Sequence, residues 1–110
     1  MSEEMIISIF FIAIGVVVLL CKNNTNHILG YRTYMSMKNQ SNWHYAQIYS
    51  GKRILILGVI LLILLIIAPL FEINTKLIST LYGIGIGVGT LLIIVATEIA
   101  LNKKEKEKEQ

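Results

Sequence analysis

The chain has 110 residues, 55% of them hydrophobic, a formal net charge of +3 and a mean hydropathy of +0.66. A soluble domain disperses its apolar residues at helix or strand period; here they are gathered into long blocks, which excludes a large water-soluble core. The basic excess does not indicate nucleic acid, because the positive charges flank the apolar blocks, where such residues set orientation and meet anionic lipid.

Met5–Cys21 is the first predicted span, about 17 residues and at the short end of what crosses a bilayer. Ser2, Glu3 and Glu4 precede it, where a signal peptide would be basic, and Lys22-Asn23-Asn24-Thr25 gives no small-residue cleavage site, so an uncleaved helix is expected. The lone cysteine, Cys21, excludes an internal disulfide. A polar connection, Lys22–Arg53, follows. Ile54–Phe71 is the second span, nearly pure Ile, Leu and Val, with Pro69 placed to kink or end it. The turn Glu72–Lys76 is long enough for an antiparallel helix pair, and Leu77–Leu101 is the third span. About 20 residues at a 1.5 Å rise cover the roughly 30 Å hydrocarbon core. The tail Asn102–Gln110 alternates Lys and Glu and reads as a solvated helical extension or a disordered end, with no chemistry attached. The expected fold is all-α integral membrane: one domain over residues 1–110, with three transmembrane helices and an interfacial, partly helical cytoplasmic loop.

Charge sets the orientation. Lys22, Arg32, Lys38, Lys52 and Arg53 lie in the connection, and Lys103, Lys104, Lys106 and Lys108 in the tail, against Lys76 alone on the other side. The positive-inside rule then puts the N-terminus outside and the C-terminus in the cytoplasm. Within lipid, helices associate through small residues that allow close approach. Gly83, Gly85, Gly87 and Gly89 alternate along the third span and fall on two sides of a helix. The third span is therefore expected to pack between two partners, either the first two spans or one span and a second subunit, as in a homo-oligomer. The second span, with little besides Gly58 and Ala68 that is small, is expected to face lipid over much of its surface. Tyr82-Gly83-Ile84-Gly85 is not read as a channel filter, because it lies inside one continuous apolar span.

Glu98 is the ionisable residue within a span, which makes it a functional candidate. It lies roughly 7.5 Å along the helix from Lys103, a depth from which it reaches water or pairs with Lys52, Arg53 or Arg32; proton or ion coupling is the alternative. His27 and His44 have no Cys, Asp or Glu between Lys22 and Arg53 to complete a metal site. No Ser-His-acid set, paired carboxylates or phosphate loop is present. No enzyme, metal or cofactor is expected.

The connection is too apolar for a solvated linker. Tyr31, Tyr34, Trp43, Tyr45 and Tyr49 favour the headgroup region. Ser41 or Asn42 can cap a helix that runs through Gly51 into the second span, and Gly30 permits a left-handed turn. Arg32 can present its fork to a lipid phosphate, a carboxylate such as Glu98 or a peptide carbonyl. The order of residues is itself informative: Asn26, Gly30-Tyr31-Arg32-Thr33, Ser36-Met37-Lys38-Asn39, Trp43, Ala46 and Gly51-Lys52, then Gly58 in a span. This pattern resembles the SdpI family of bacterial membrane proteins, named for immunity to a secreted, sporulation-delaying toxin peptide. The resemblance implies a polytopic helical protein of the cytoplasmic membrane. For the family's named member it also implies toxin protection and sequestration of a small transcriptional repressor at the membrane. That member carries further spans ahead of this region, and Ser41-Asn42 stands where an acidic or threonine residue often precedes the Trp. Arg32, Asn39 and Trp43 are the motif positions expected to make functional contacts. A small transporter or channel subunit using Glu98 and the glycine-rich span, or a structural assembly subunit, are the competing readings.

Overall fold

In the computed structural model, residues 3–23, 25 and 29–109 are described, and they form three α-helices: α1 (Glu3–Leu20), α2 (Gln40–Ile67) and α3 (Thr75–Glu109). All three are long and apolar enough to cross a membrane. The molecule is 54 Å in its longest dimension. Asn26 and His27 lie outside the described residues.

The helix lengths dictate the layout. The 18 residues of α1 rise about 27 Å, close to the hydrocarbon thickness. The 28 residues of α2 rise about 42 Å and the 35 of α3 about 52 Å, so both overhang. Because α2 and α3 are antiparallel, the N-terminal turns of α2 and the C-terminal turns of α3 project on the same side. The described residues of the connection, 21–23, 25 and 29–39, lie on that side too, and it is called the loop face below.

Asn39, not Ser41 or Asn42, caps α2. Its backbone is extended at φ −157 and ψ 171, and its Oδ1 accepts from the Asn42 N–H at 2.7 Å, satisfying one orphan donor of the first turn. Ser41 and Asn42 already lie within the helix, which continues through Gly51 into the apolar run as expected. At the other end the α-helix stops at Ile67, and Pro69 sits in a short 3-10 turn, Ala68–Phe71. Glu72 then takes a left-handed φ of 52, and the Asn74 Oδ1 receives the Lys76 N–H to start α3.

α2, not α3, is the middle helix, so of the two expected arrangements the one with α3 between the first two spans is not formed. Glycines on α1 and α2 interleave where the two helices run closest. A Cβ on Gly15 would stand 2.8 Å from the Leu55 backbone nitrogen, one on Gly58 2.9 Å from Ile12, and one on Gly51 2.9 Å from Leu19. The glycines of α3 divide instead. Gly89 lies against Leu57 and Gly85 nearer Leu61, whereas a Cβ on Gly83 or Gly87 would meet nothing within 4 Å. Alternate glycines fall on opposite sides of a helix, and α2 covers one side only. The outer surface of α2 (Ile56, Ile60, Ile63 and Ile66) is exposed, so the expectation that much of it faces lipid agrees with the structure. Away from the loop face, Tyr82 of α3 ties the outer helices together. Its hydroxyl lies 2.7 Å from Ser8 Oγ and donates to Glu4 O at 2.9 Å, while Ser79 Oγ donates to Glu4 Oε1 at 2.7 Å. In the membrane such hydrogen bonds hold helices that apolar burial cannot.

Candidate functional site

The loop face holds most of the buried polar side chains. Ser36, Asn42, Gln47, Ser50 and Thr97 are completely buried. Such groups are costly unless bonded, and among the described residues no buried side-chain nitrogen or oxygen lacks a partner. Ser36, Asn42 and Gln47 bond to backbone groups of the connection, and Ser50 and Thr97 to the Ala46 and Ile93 carbonyls one turn back in their own helices.

α1 ends in apolar Val-Val-Val-Leu-Leu with no capping residue of its own, and its last carbonyls would be orphans. Side chains on the first turns of α2 supply the donors. Trp43 Nε1 donates to Cys21 O at 2.6 Å and Gln40 Nε2 to Asn23 O at 2.7 Å, while His44 Nδ1 lies 3.1 Å from Lys22 O. These donors are spaced one and three residues apart, so one face of α2 closes the end of α1. Trp43 has no exposed surface: its ring fills the gap and its N–H serves as the cap.

The connection is held the same way. Gln47 grips Tyr31 through both backbone groups: Tyr31 N–H donates to Oε1 at 2.7 Å, and Nε2 donates to Tyr31 O at 2.8 Å. Gly30 makes this possible. Its φ is +100, a conformation that L side chains rarely adopt, and a Cβ there would stand 2.7 Å from Gln47 Oε1. Beyond Tyr31 the chain folds into a small turn around Ser36. The Ser36 hydroxyl donates toward Tyr31 O and Thr33 O, both at 3.0 Å, and accepts from Thr33 N–H at 2.8 Å; Ser36 N–H donates to Thr33 Oγ1 at 3.2 Å. Asn42 Nδ2 donates to Met35 O at 2.9 Å.

α3 closes the far side. Tyr31 OH donates to Glu98 Oε1 at 3.1 Å and lies 3.3 Å from Ile94 O. Glu98 therefore pairs with a phenol held by the loop, not with Lys52, Arg53 or Arg32. Burial, reinforced by the charge of Glu98, pushes the Tyr31 hydroxyl well above its ordinary value, so it stays a donor at neutral pH. The tail, to which no chemistry was attached, is helical to Glu109 and its first turn is part of the site. Lys104 Nζ donates to Ser41 Oγ at 2.6 Å and Asn42 Oδ1 at 3.1 Å. Glu105 pairs with Lys38 at 3.3 Å and accepts from Asn39 Nδ2 at 3.4 Å. Glu105 lies beyond the apolar stretch. Desolvation pushes its carboxyl up, but hydrogen bonds from Lys38, Asn42 and Asn39 with the Lys38 charge outweigh that and hold it below the ordinary 4.5.

Most of the motif thus converges on one knot: Gly30, Tyr31, Thr33, Ser36, Lys38, Asn39 and Trp43, with Gly51 just below against Val18 and Leu19. Arg32 and Lys52 differ from the rest. Both are exposed, and neither has a partner among the described residues. Gln47 and Asn42 are the central residues of the knot that the motif reading passed over; a polar pair on the face of α2 that also carries Trp43 and Ser50 was the available signal. The glycines Gly83, Gly85, Gly87 and Gly89 stand apart, within the membrane-spanning part of α3.

The same segment carries the comparison with known proteins. The profile of the SdpI/YfhL protein family matches residues 22–100, from the end of α1 through the knot to Glu98 and Ala100. The chain belongs to the SdpI/YfhL family. It is a multi-pass membrane protein of that family. No curated protein and no solved structure matched the chain. The SdpI/YfhL match takes in the bonds among Tyr31, Thr33, Ser36, Asn42 and Gln47 and the Tyr31–Glu98 contact, and leaves out Cys21, Lys104 and Glu105.

Proposed function

We propose that this is a non-enzymatic immunity protein of the bacterial cytoplasmic membrane, giving resistance to a secreted, membrane-active toxin peptide. In this reading the N-terminus is outside and the loop face is cytoplasmic, in keeping with the clustered Lys and Arg. The loop face also receives a cytoplasmic partner, a small transcriptional repressor, as the resemblance implies for the family's named member. Membership of the SdpI/YfhL family supports the class of function. The observation that carries the site is the contrast within the motif: its other described polar side chains are bonded internally, while Arg32 and Lys52 are presented outward. Arg32 is the contact residue, and Asn39 and Trp43 hold the surface on which it stands.

The experiment is deletion and complementation in the native bacterium. The deletion strain should become sensitive to toxin-containing supernatants of related strains. The wild-type protein should restore resistance, and Arg32→Ala should fail to do so while still inserting at the normal level. Unchanged sensitivity of the deletion strain to secreted toxins and membrane-active peptides defeats the immunity reading.

A further inference from the structure

Beside the knot, α2 and α3 leave an open groove of about 650 Å³ between them. Its floor is apolar, formed by Ala96, Ile99 and Ala100 of α3. One wall is aromatic: Tyr45 and Tyr49 of α2, stacked with centroids 5.8 Å apart and planes at 21°. Its rim is Lys103 and Lys104, with Glu107 one turn farther out. From Ala96 to Lys104 the axis rises about 12 Å, so one groove passes from hydrocarbon to headgroup depth.

Charge selects the occupant. The Lys104 ammonium is held by Ser41 and Asn42, neither of which carries a charge. Lys103 is exposed with no partner among the described residues. The Arg53 guanidinium lies 3.5 Å from the centre of the Tyr49 ring and places a third positive charge against the aromatic wall. Among the residues lining the groove, Glu107 is the one acid set against these three. An apolar peptide would leave the lysines uncompensated, a soluble phosphate would leave the floor bare, and a zwitterionic lipid would bring its own cation to a cationic rim. An anionic lipid satisfies floor and rim together, and tyrosines at this depth suit the glycerol and ester region.

We propose that the α2–α3 groove is a binding site for one anionic phospholipid, with an acyl chain on Ala96, Ile99 and Ala100 and the headgroup phosphate at Lys103. The site is independent of the immunity reading. It is tested by native mass spectrometry of the full-length protein released from nanodiscs of equal phosphatidylglycerol and phosphatidylcholine. One phosphatidylglycerol should be retained in about tenfold preference over phosphatidylcholine. Lys103→Gln, which alters a side chain with no internal bond, should cut that preference about fivefold. Ala100→Phe should fill the floor and remove the bound lipid while Lys103 is intact, and Lys76→Gln at the opposite face should change nothing. Equal retention of the two lipids overturns the proposal, as does a Lys103→Gln effect no larger than that of Lys76→Gln. Displacement of the lipid by soluble glycerol phosphate also overturns it, by assigning the rim to a free phosphate.

Discussion

Gln47 is the position where a small change should have the largest local effect. Leucine has nearly the volume of glutamine, so Gln47→Leu leaves the packing about as it is and removes two hydrogen bonds. The Tyr31 carbonyl keeps the Ser36 hydroxyl as a second partner, but the Tyr31 N–H, at 2.7 Å from Gln47 Oε1, has no other acceptor among the described residues. A neutral hydrogen bond contributes about 1 kcal/mol net, and a buried donor left unpaired costs about 1–3 kcal/mol. The sum is about 2–4 kcal/mol, centred near a hundredfold change in local opening. Hydrogen exchange measured by mass spectrometry in detergent reads this directly: a peptide spanning Gly30–Ser36 should exchange about a hundredfold faster in the variant, while peptides from the middle of α2 keep their protection. Gly30→Ala supplies the cross-check. Alone it incurs both the left-handed backbone penalty, about 1–2 kcal/mol, and the collision with Gln47 Oε1. In the Gln47→Leu background the hydrogen-bonded oxygen is gone, so the two losses should sum to less than their separate values. Unchanged exchange at Tyr31 in Gln47→Leu, or strict additivity with Gly30→Ala, would refute the bonding scheme.

Three further outcomes follow from the same geometry. Gly15→Ala forces a methyl onto the Leu55 backbone and should cost about 1–3 kcal/mol in SDS-driven unfolding, whereas Gly83→Ala and Gly87→Ala point into open space and should stabilise α3 by about 0.5–1 kcal/mol; destabilisation by the latter pair would mean that a second copy covers that side. Glu98→Gln keeps an acceptor for Tyr31, so toxin resistance should persist, and its loss with insertion intact would turn Glu98 from a tether into a proton- or ion-coupling group. The Glu105 carboxyl titrates below its ordinary value when folded, so its contribution is whole above about pH 4.5 and is lost as pH falls through the lower folded value; spin labels at Met37 and Lys106 should separate only on that acid side, and Glu105→Gln should abolish the dependence.

What the sequence revealed followed from length and composition. Three apolar blocks of bilayer length give three helices in almost any context, because lipid offers the backbone no other partner. The continuation of the second span back through Gly51 was legible from the helical spacing of Tyr45, Ile48 and Tyr49. The packing order was not. The four glycines on α3 outnumber the three on α1 and α2, but close approach depends on where single glycines meet a facing backbone. Gly15, Gly51 and Gly58 interleave across α1 and α2, while Gly83 and Gly87 face away. Glu98 was misassigned for a related reason. A carboxylate near the interface ordinarily draws a cation, but here the position of Tyr31 is fixed by Gln47, and that bond runs through backbone atoms that leave no mark in the sequence. The Lys-Glu alternation of the tail concealed Lys104 and Glu105 equally well, since only a helix continuing past the bilayer brings them to the Asn39 cap.

The overhangs make the knot a physical necessity. Two helices too long for the bilayer emerge on one side together, and the third ends beside them with uncapped carbonyls. The connection between them must then satisfy backbone groups at the headgroup boundary, where competing water is scarce. Trp43, Gln40 and His44 meet the carbonyls of residues 21–23, and Gln47, Ser36 and Asn42 meet those of the connection. Once those groups are engaged, the motif has few side chains left to offer a partner, and a partner at this face meets Arg32 and Lys52. Under the immunity function proposed above, substitutions in the knot should abolish resistance by disordering the surface, with exchange and stability moving together. Substitutions of Arg32 and Lys52 should abolish it with both unchanged. Arg32→Ala that loses resistance and also loses Gly30–Ser36 protection would contradict that division and make Arg32 another strut of the knot.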